Sequence, residues 1–216
     1  MWLRERRGCD RAEGRSKNPA RREPRPPGTR LTQRAIPVSV SVVCATLVEL
    51  LLHQFEASLC TLHLAIARCP EANWEKAVGT LRFCQVGFHA VFFADLYLQA
   101  GEGLEGLRGQ GFHVEHAGEF GDYEELEDRE PVRVYGKPFV LEYLQFVRSK
   151  ARETVGRESE EVLAGPSGFS WRKCSRAELH VCNIRHIQHH AAQLSLRLRI
   201  DAGVEIPWVG HGWVEG

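Results

Sequence analysis

The stretch SRAELHVCNIRHIQHHAAQLSLRLR, residues 175–199, decides the fold class. Ser175 and Glu178 fit a capping box, the hydroxyl accepting from an early amide and the Glu reaching back, so a helix opens there. Steps of three and four along it give Leu179, Asn183, His186, His190, Leu194 and Leu198 on one inner face. An amide and two imidazoles thus occupy positions that packing alone would fill with aliphatics. His186 and His190 stand one turn apart and point to the same side, whereas His189 is rotated by about 100°. An H-x-x-x-H pair has a common zinc-type spacing. The Glu of H-E-x-x-H is missing, which excludes the metalloprotease helix. Taken alone, the pair also fits hydrogen-bonded core or surface histidines.

The same helical period recurs upstream. Cys44, Val48, Leu51, Phe55, Leu59, Leu62 and Ile66 form one stripe before Pro70, predicting a first helix of about six turns. Asn73 is a reasonable N-cap for a second helix from Trp74 to about Ala100, with the stripe Leu81, Val86, His89, Phe93 and Leu96 and a glycine-rich end, GEGLEGLRGQG. Residues 101–137 read as a long crossing connection carrying the acidic run DYEELEDRE and Pro131. Pro138 suits a first helical turn, and Val140, Leu144, Val147, Ala151 and Val155 form the third stripe. A Gly-Pro-Ser-Gly turn at 165–168 precedes the last helix. No segment alternates as a strand would. The expectation is an all-α fold, an antiparallel four-helix bundle with one long crossover, closed by an irregular cap through Trp208 and Trp213.

His89 changes the reading of the histidine pair. It lies in the inner stripe of the second helix among aromatics that offer few partners, and an unpaired buried imidazole nitrogen costs about 1–3 kcal/mol. A shared divalent ion held by His89, His186 and His190 would satisfy all three, leaving a fourth tetrahedral position open as in catalytic sites. Zinc and nickel are the first expectations, with manganese and iron also suited to imidazole. Asn183, one turn before His186, is a candidate to orient a ligand ring. Asp95 and Tyr97 are candidates for the pocket mouth, with solvated or capping side chains as the alternative. Cys182 is a fourth-ligand candidate whose competing reading is a small core residue.

Composition sets the frame around this domain. The 216 residues carry 28 Lys+Arg against 28 Asp+Glu, yet residues 1–35 hold 11 basic and 4 acidic residues. That segment is rich in Arg, Pro and Gly and has no apolar period, so it reads as a disordered basic tail before a domain spanning 36–216. Without interleaved aromatics it predicts no specific nucleic-acid partner. IPVSVSVVCATLVELLL, residues 36–52, invites a signal or anchor reading, but Pro37, Ser39, Ser41 and Glu49 interrupt it and the pattern runs on into a polar-faced helix. No membrane association is expected. The 7 Cys include no C-x-x-C pair, so reduced thiols and a cytoplasmic location are expected.

FHAVFFADLYL at 88–98, SWRKCSRAELHVCNIRHIQHHAAQLSLRLR at 170–199 and the closing PWVG resemble the DinB/YfiT-like superfamily of metal-dependent bacterial proteins, over about residues 44–210. The resemblance implies a four-helix bundle, a homodimer, and a divalent metal held by one histidine of the second helix and the H-x-x-x-H pair of the fourth. In this chain those are His89, His186 and His190. It also implies a class of chemistry, in which the metal activates a low-molecular-weight thiol such as bacillithiol or mycothiol, or water, toward a small electrophilic substrate. A metal that only pins the helices, and an interaction module working through the acidic stretch at 119–130 or the tail, are the alternatives.

Because residues 1–35 lack an apolar face to dock, their removal should leave the melting temperature within a few degrees of the full chain in a thermal denaturation scan.

Overall fold

The helical stripes become buried faces in the computed structural model, which describes residues 40–101, 104–121, 123–127 and 129–214. Helix α1 runs Val40–Arg68, α3 Phe83–Tyr97, α7 Lys137–Arg157 and α9 Arg176–Ala202, and the protein is mostly helical. Between them lie the short helices α2 (Glu71–Trp74), α4 (Leu104–Arg108), α5 (Gly111–Glu115), α6 (Ala117–Phe120) and α8 (Glu160–Ala164), with a 3-10 turn at Glu124–Leu126. On α1, Leu51, Phe55, Leu59, Leu62 and Ile66 are buried, as are Val140, Leu144, Val147, Ala151 and Val155 on α7. Both α1 and α3 pack against α7 and α9.

The second predicted helix is the main departure. Instead of a continuous run from Trp74, the chain makes α2 and then a hairpin of β1 (Ala77–Val78) and β2 (Leu81–Arg82), so Asn73 is not an N-cap. The reason is the Gly79-Thr80 turn, where Gly79 adopts φ +70°, a region open to glycine without strain. Trp74 is buried and its Nε1 donates to the Tyr135 carbonyl at 2.8 Å. Helix α3 therefore begins late, and Gln85 Oε1 accepts from the Arg82 amide at 2.8 Å to cap it.

Every residue of α3 is buried except Phe93, so this helix is surrounded rather than amphipathic. Its last carbonyls need donors. The buried Arg176 guanidinium supplies them, donating to the carbonyls of Tyr97, Leu98 and Gln99 at 2.7–3.0 Å while its Nε pairs with Glu158 at 2.8 Å. Asn183 Nδ2 donates to the Ala94 carbonyl at 3.0 Å. These contacts descend α3 as they climb α9, so the two helices run antiparallel in a set register. The turn at 165–168 crosses the end of α3, and at Gly168 (φ +88°) a Cβ would stand 2.2 Å from the Ala100 carbonyl oxygen, which only glycine avoids. At the start of α9 the Ser175 hydroxyl accepts from the Glu178 amide at 3.2 Å, the first half of the predicted capping box.

Ala45–Arg68 of α1 is long and apolar enough to cross a membrane, with mean hydropathy 1.3, and 67% of its most apolar window is buried inside the fold. Part of that cover comes from the C-terminal segment, which lies along α1 as a strap. Gly212 donates its amide to the His53 carbonyl at 3.0 Å, Gln54 reaches the Gly210 carbonyl at 3.3 Å, and Val209 packs with Ala57, Cys60 and Leu64. Only one of the two expected tryptophans serves this cap. Trp213 lies under the Arg148 guanidinium at 3.8 Å and beside His63, whereas Trp208 is 83% exposed. Helical periodicity could not separate them, because the strap has no period. The proposed basic tail, residues 1–35, lies outside the described residues.

Trp213→Ala should destabilise the fold by about 2 kcal/mol through lost packing, and Trp208→Ala should stay within about 0.5 kcal/mol; denaturant midpoints of the two variants measure the contrast.

Candidate metal centre

The register of α3 on α9 brings His89 against the H-x-x-x-H pair. His186 Nε2 is 3.4 Å from His89 Nε2 and 3.1 Å from His190 Nε2, and the three ligating nitrogens lie within 4.8 Å of one another. Nitrogens on one tetrahedral ion at metal–nitrogen distances of about 2.0–2.1 Å stand about 3.4 Å apart, so the spacing suits a divalent cation. His89 and His190 are buried, and His186 is half-buried. Phe93, the one residue of α3 that is not buried, has its ring 4.7 Å from His89 and 5.6 Å from His186, which places the mouth of the site on that side. His189 is exposed, turned away as the helical rotation requires.

The far nitrogens of two rings decide their tautomers. His89 Nδ1 is 2.8 Å from Glu125 Oε2, both side chains buried, and a carboxylate can only accept, so His89 carries its proton on Nδ1. His190 Nδ1 is 2.9 Å from Gln193 Oε1, again an acceptor, with Gln193 Nε2 set against His189 Nε2 at 3.1 Å. Both Nε2 atoms therefore aim lone pairs toward His186. Two converging lone pairs can be answered by a proton on His186 Nε2 or by one cation shared among all three rings. His186 Nδ1 is buried without a partner. Burial, followed by the neighbouring His190 and His89, holds the His186 imidazole well below its ordinary range, and burial with His89 lowers His190 to about 3 against the upward pull of Gln193. Both rings are neutral at neutral pH.

Glu125 escaped the reading of the sequence, where it stood only as part of the acidic run at 122–130 in the crossing connection. It comes from the 3-10 turn Glu124–Leu126, entered through Tyr123 in the left-handed region at φ 60°. Its neighbour Glu124 is also buried and anchors the loop, accepting from the amides of Val132 at 3.3 Å and Arg133 at 3.0 Å and pairing with Arg129 at 3.0 Å. The carboxylate fixes the orientation of the His89 ring. An acidic residue inside a charged run carries no period, so only the folded loop reveals it.

The other candidates have different places. Asn183 bonds the Ala94 carbonyl and sets helix register rather than touching an imidazole, and its Oδ1 is buried without a partner. Asp95 is fully buried away from the mouth, accepting from His113 Nε2 at 2.8 Å and Tyr143 at 2.7 Å and pairing with Lys150. Tyr97 does stand by the site, its ring 6.3 Å from His186 and its hydroxyl accepting from Arg172 Nη2 at 3.1 Å. Cys182 is half-buried and free, outside the histidine group. Of the remaining histidines, His113 and His180 are buried against Asp95 and Glu158. No protein-family model, no curated protein and no solved structure matches the chain.

Asp95 and Glu158 link the fold to pH. Burial alone would raise both, but the hydrogen bonds and charges of His113, Lys150 and Tyr143 on Asp95, and of His180 and Arg176 on Glu158, outweigh it and hold both carboxyls below their ordinary values. A depressed folded value stabilises the native state above the unfolded-state values near about 4 and is lost as pH falls through the lower folded values. The urea midpoint should therefore drop on acidification below about pH 4, and Asp95→Asn should flatten part of that drop.

Proposed function

We propose that the chain is a metal-dependent protein of the DinB/YfiT-like kind, an antiparallel four-helix bundle that works as a cytoplasmic homodimer and binds one divalent cation through His89, His186 and His190. The convergence of three Nε2 atoms, two of them committed to lone pairs by Glu125 and Gln193, carries this reading. The residues fit such an ion in donor type, spacing and neutrality. Zinc or nickel suits the all-imidazole set best. When bound, the ion supplies Lewis acidity that lowers the pKa of a thiol or water, which favours a thiol S-transferase-like or hydrolase-like reaction on a small electrophile.

The chain's own groups prepare the site. Glu125 orients His89 and keeps Nε2 free, Gln193 does the same for His190, and burial keeps the His186 and His190 rings unprotonated. Phe93 and Tyr97 wall the mouth with aromatic surface that excludes water from one side. A metal that only ties α3 to α9 is the second reading, favoured by the position of the histidines between the two helices.

Metal content of untagged protein, measured by elemental analysis, tests the reading. His89→Ala, His186→Ala and His190→Ala should each lose most of the metal, His189→Ala should keep it, and Glu125→Gln should weaken binding by about 10- to 100-fold. Equal metal in all variants would remove the site. Thiol-dependent consumption of 1-chloro-2,4-dinitrobenzene that stops on chelation separates a catalytic from a merely structural ion, whose removal would lower thermal stability alone.

A further inference from the structure

Five buried side chains make a circuit that leaves α3 at Asp95 and returns to it at His89. The Asp95 carboxylate only accepts, so His113 Nε2 donates to its Oδ2 at 2.8 Å and the Tyr143 hydroxyl donates to the same oxygen at 2.7 Å, while Lys150 pairs with Oδ1. His113 stands on α5, turns its other nitrogen to the Tyr123 hydroxyl at 3.1 Å and lies flat on the Phe120 ring, centroids 3.7 Å apart. Tyr123 precedes the 3-10 turn that carries Glu125, and Glu125 Oε2 closes the circuit on His89 Nδ1 at 2.8 Å. Asp95 is six residues after His89, about 9 Å along the helix axis, so it acts at a distance from the three imidazoles.

We propose that Asp95 and His113 are positioning residues of the histidine site: through Tyr123 they hold the turn that presents Glu125 to His89, and so keep the His89 Nε2 lone pair aimed at His186. The effect on cation binding rests on the metal-site reading above. A tyrosine at φ 60° does not keep to the left-handed region by its own preference, and the tether to His113 offsets that cost. Glu124 ties the turn to the Val132 and Arg133 amides, in the chain that follows it. His113 ties it to α3, the helix on which His89 itself stands. The second tie therefore references Glu125 to the ring it orients. Asp95 is a firm anchor for it, because Tyr143 and Lys150 both reach it from α7 and fix it to a second helix.

The test reads the His89 tautomer in long-range proton–nitrogen correlation spectra of the full chain freed of metal with a chelator, the signals assigned by their loss in His89→Gln. Wild type should show one tautomer, protonated at Nδ1. Tyr123→Phe, which removes a single hydroxyl, and His113→Phe, which keeps a flat ring against Phe120, should each give a mixture of both tautomers. Zinc titration of the two variants should show affinity lower by about tenfold, the small end of what an outer partner of a ligand contributes. In a Glu125→Ala background Tyr123→Phe should leave zinc affinity unchanged, because it acts only through that carboxylate; a tyrosine that merely stabilises the fold would weaken binding equally in both backgrounds. A single Nδ1 tautomer in both variants, or equal losses with and without Glu125, would overturn the positioning role. A wild type that takes up no zinc overturns the metal reading, and the tautomer comparison then decides the circuit on its own.

Discussion

The Arg176 guanidinium is the contact on which the arrangement turns. A helix buried on every side cannot hand its terminal carbonyls to water, and α3 ends inside the protein. Arg176 answers three of those carbonyls from the first residue of α9 and is itself balanced by Glu158, so the end of one helix is tied to the start of the other. Asn183 repeats the tie two turns along. Once these two contacts hold, His89 has no freedom to stand anywhere but opposite His186 and His190. The site is a consequence of helix register, and register is a matter of satisfying backbone polar groups where water is absent.

A second layer of constraint comes from the crossing connection. Tyr123 takes a left-handed conformation that a bulky residue adopts at a cost of about 1–2 kcal/mol. The compensation is visible nearby, in the Tyr123 hydroxyl 3.1 Å from His113 Nδ1 and in Glu124, which gathers two backbone amides and Arg129. The backbone so bent delivers Glu125 to His89. Strain in the loop and order in the His89 ring are two ends of one device, in which the fold itself settles the orientation of an imidazole.

What could be read from the residues followed from periodicity. The stripes on α1, α7 and α9 were legible because burial on one face of a helix repeats every three to four positions, and His186 and His190 were legible as polar intruders in the α9 stripe, as His89 was in the stripe of the second predicted helix. The hairpin at 77–82 was lost because a two-residue glycine turn interrupts a run that otherwise reads as helix. Asp95 has the type and position of a pocket carboxylate, yet its partners, His113, Tyr143 and Lys150, come from segments whose proximity no spacing encodes. Glu124 and Glu125 were hidden by their company, since neighbouring charges usually mean a solvated face. Trp208 and Trp213 were indistinguishable in a strap without a period.

The placement of His89 on α3 has an evolutionary side. A helix enclosed on all faces tolerates little change anywhere along it, because each side chain is packed against another element. His89 is thus embedded in the least mutable part of the chain, while the strap around Trp208 and the outward face of α9 are free to drift. Sequences descending from this one would diverge first where they meet solvent and last where they frame the histidines. The three-histidine cluster sits in the region that selection for folding alone would already protect.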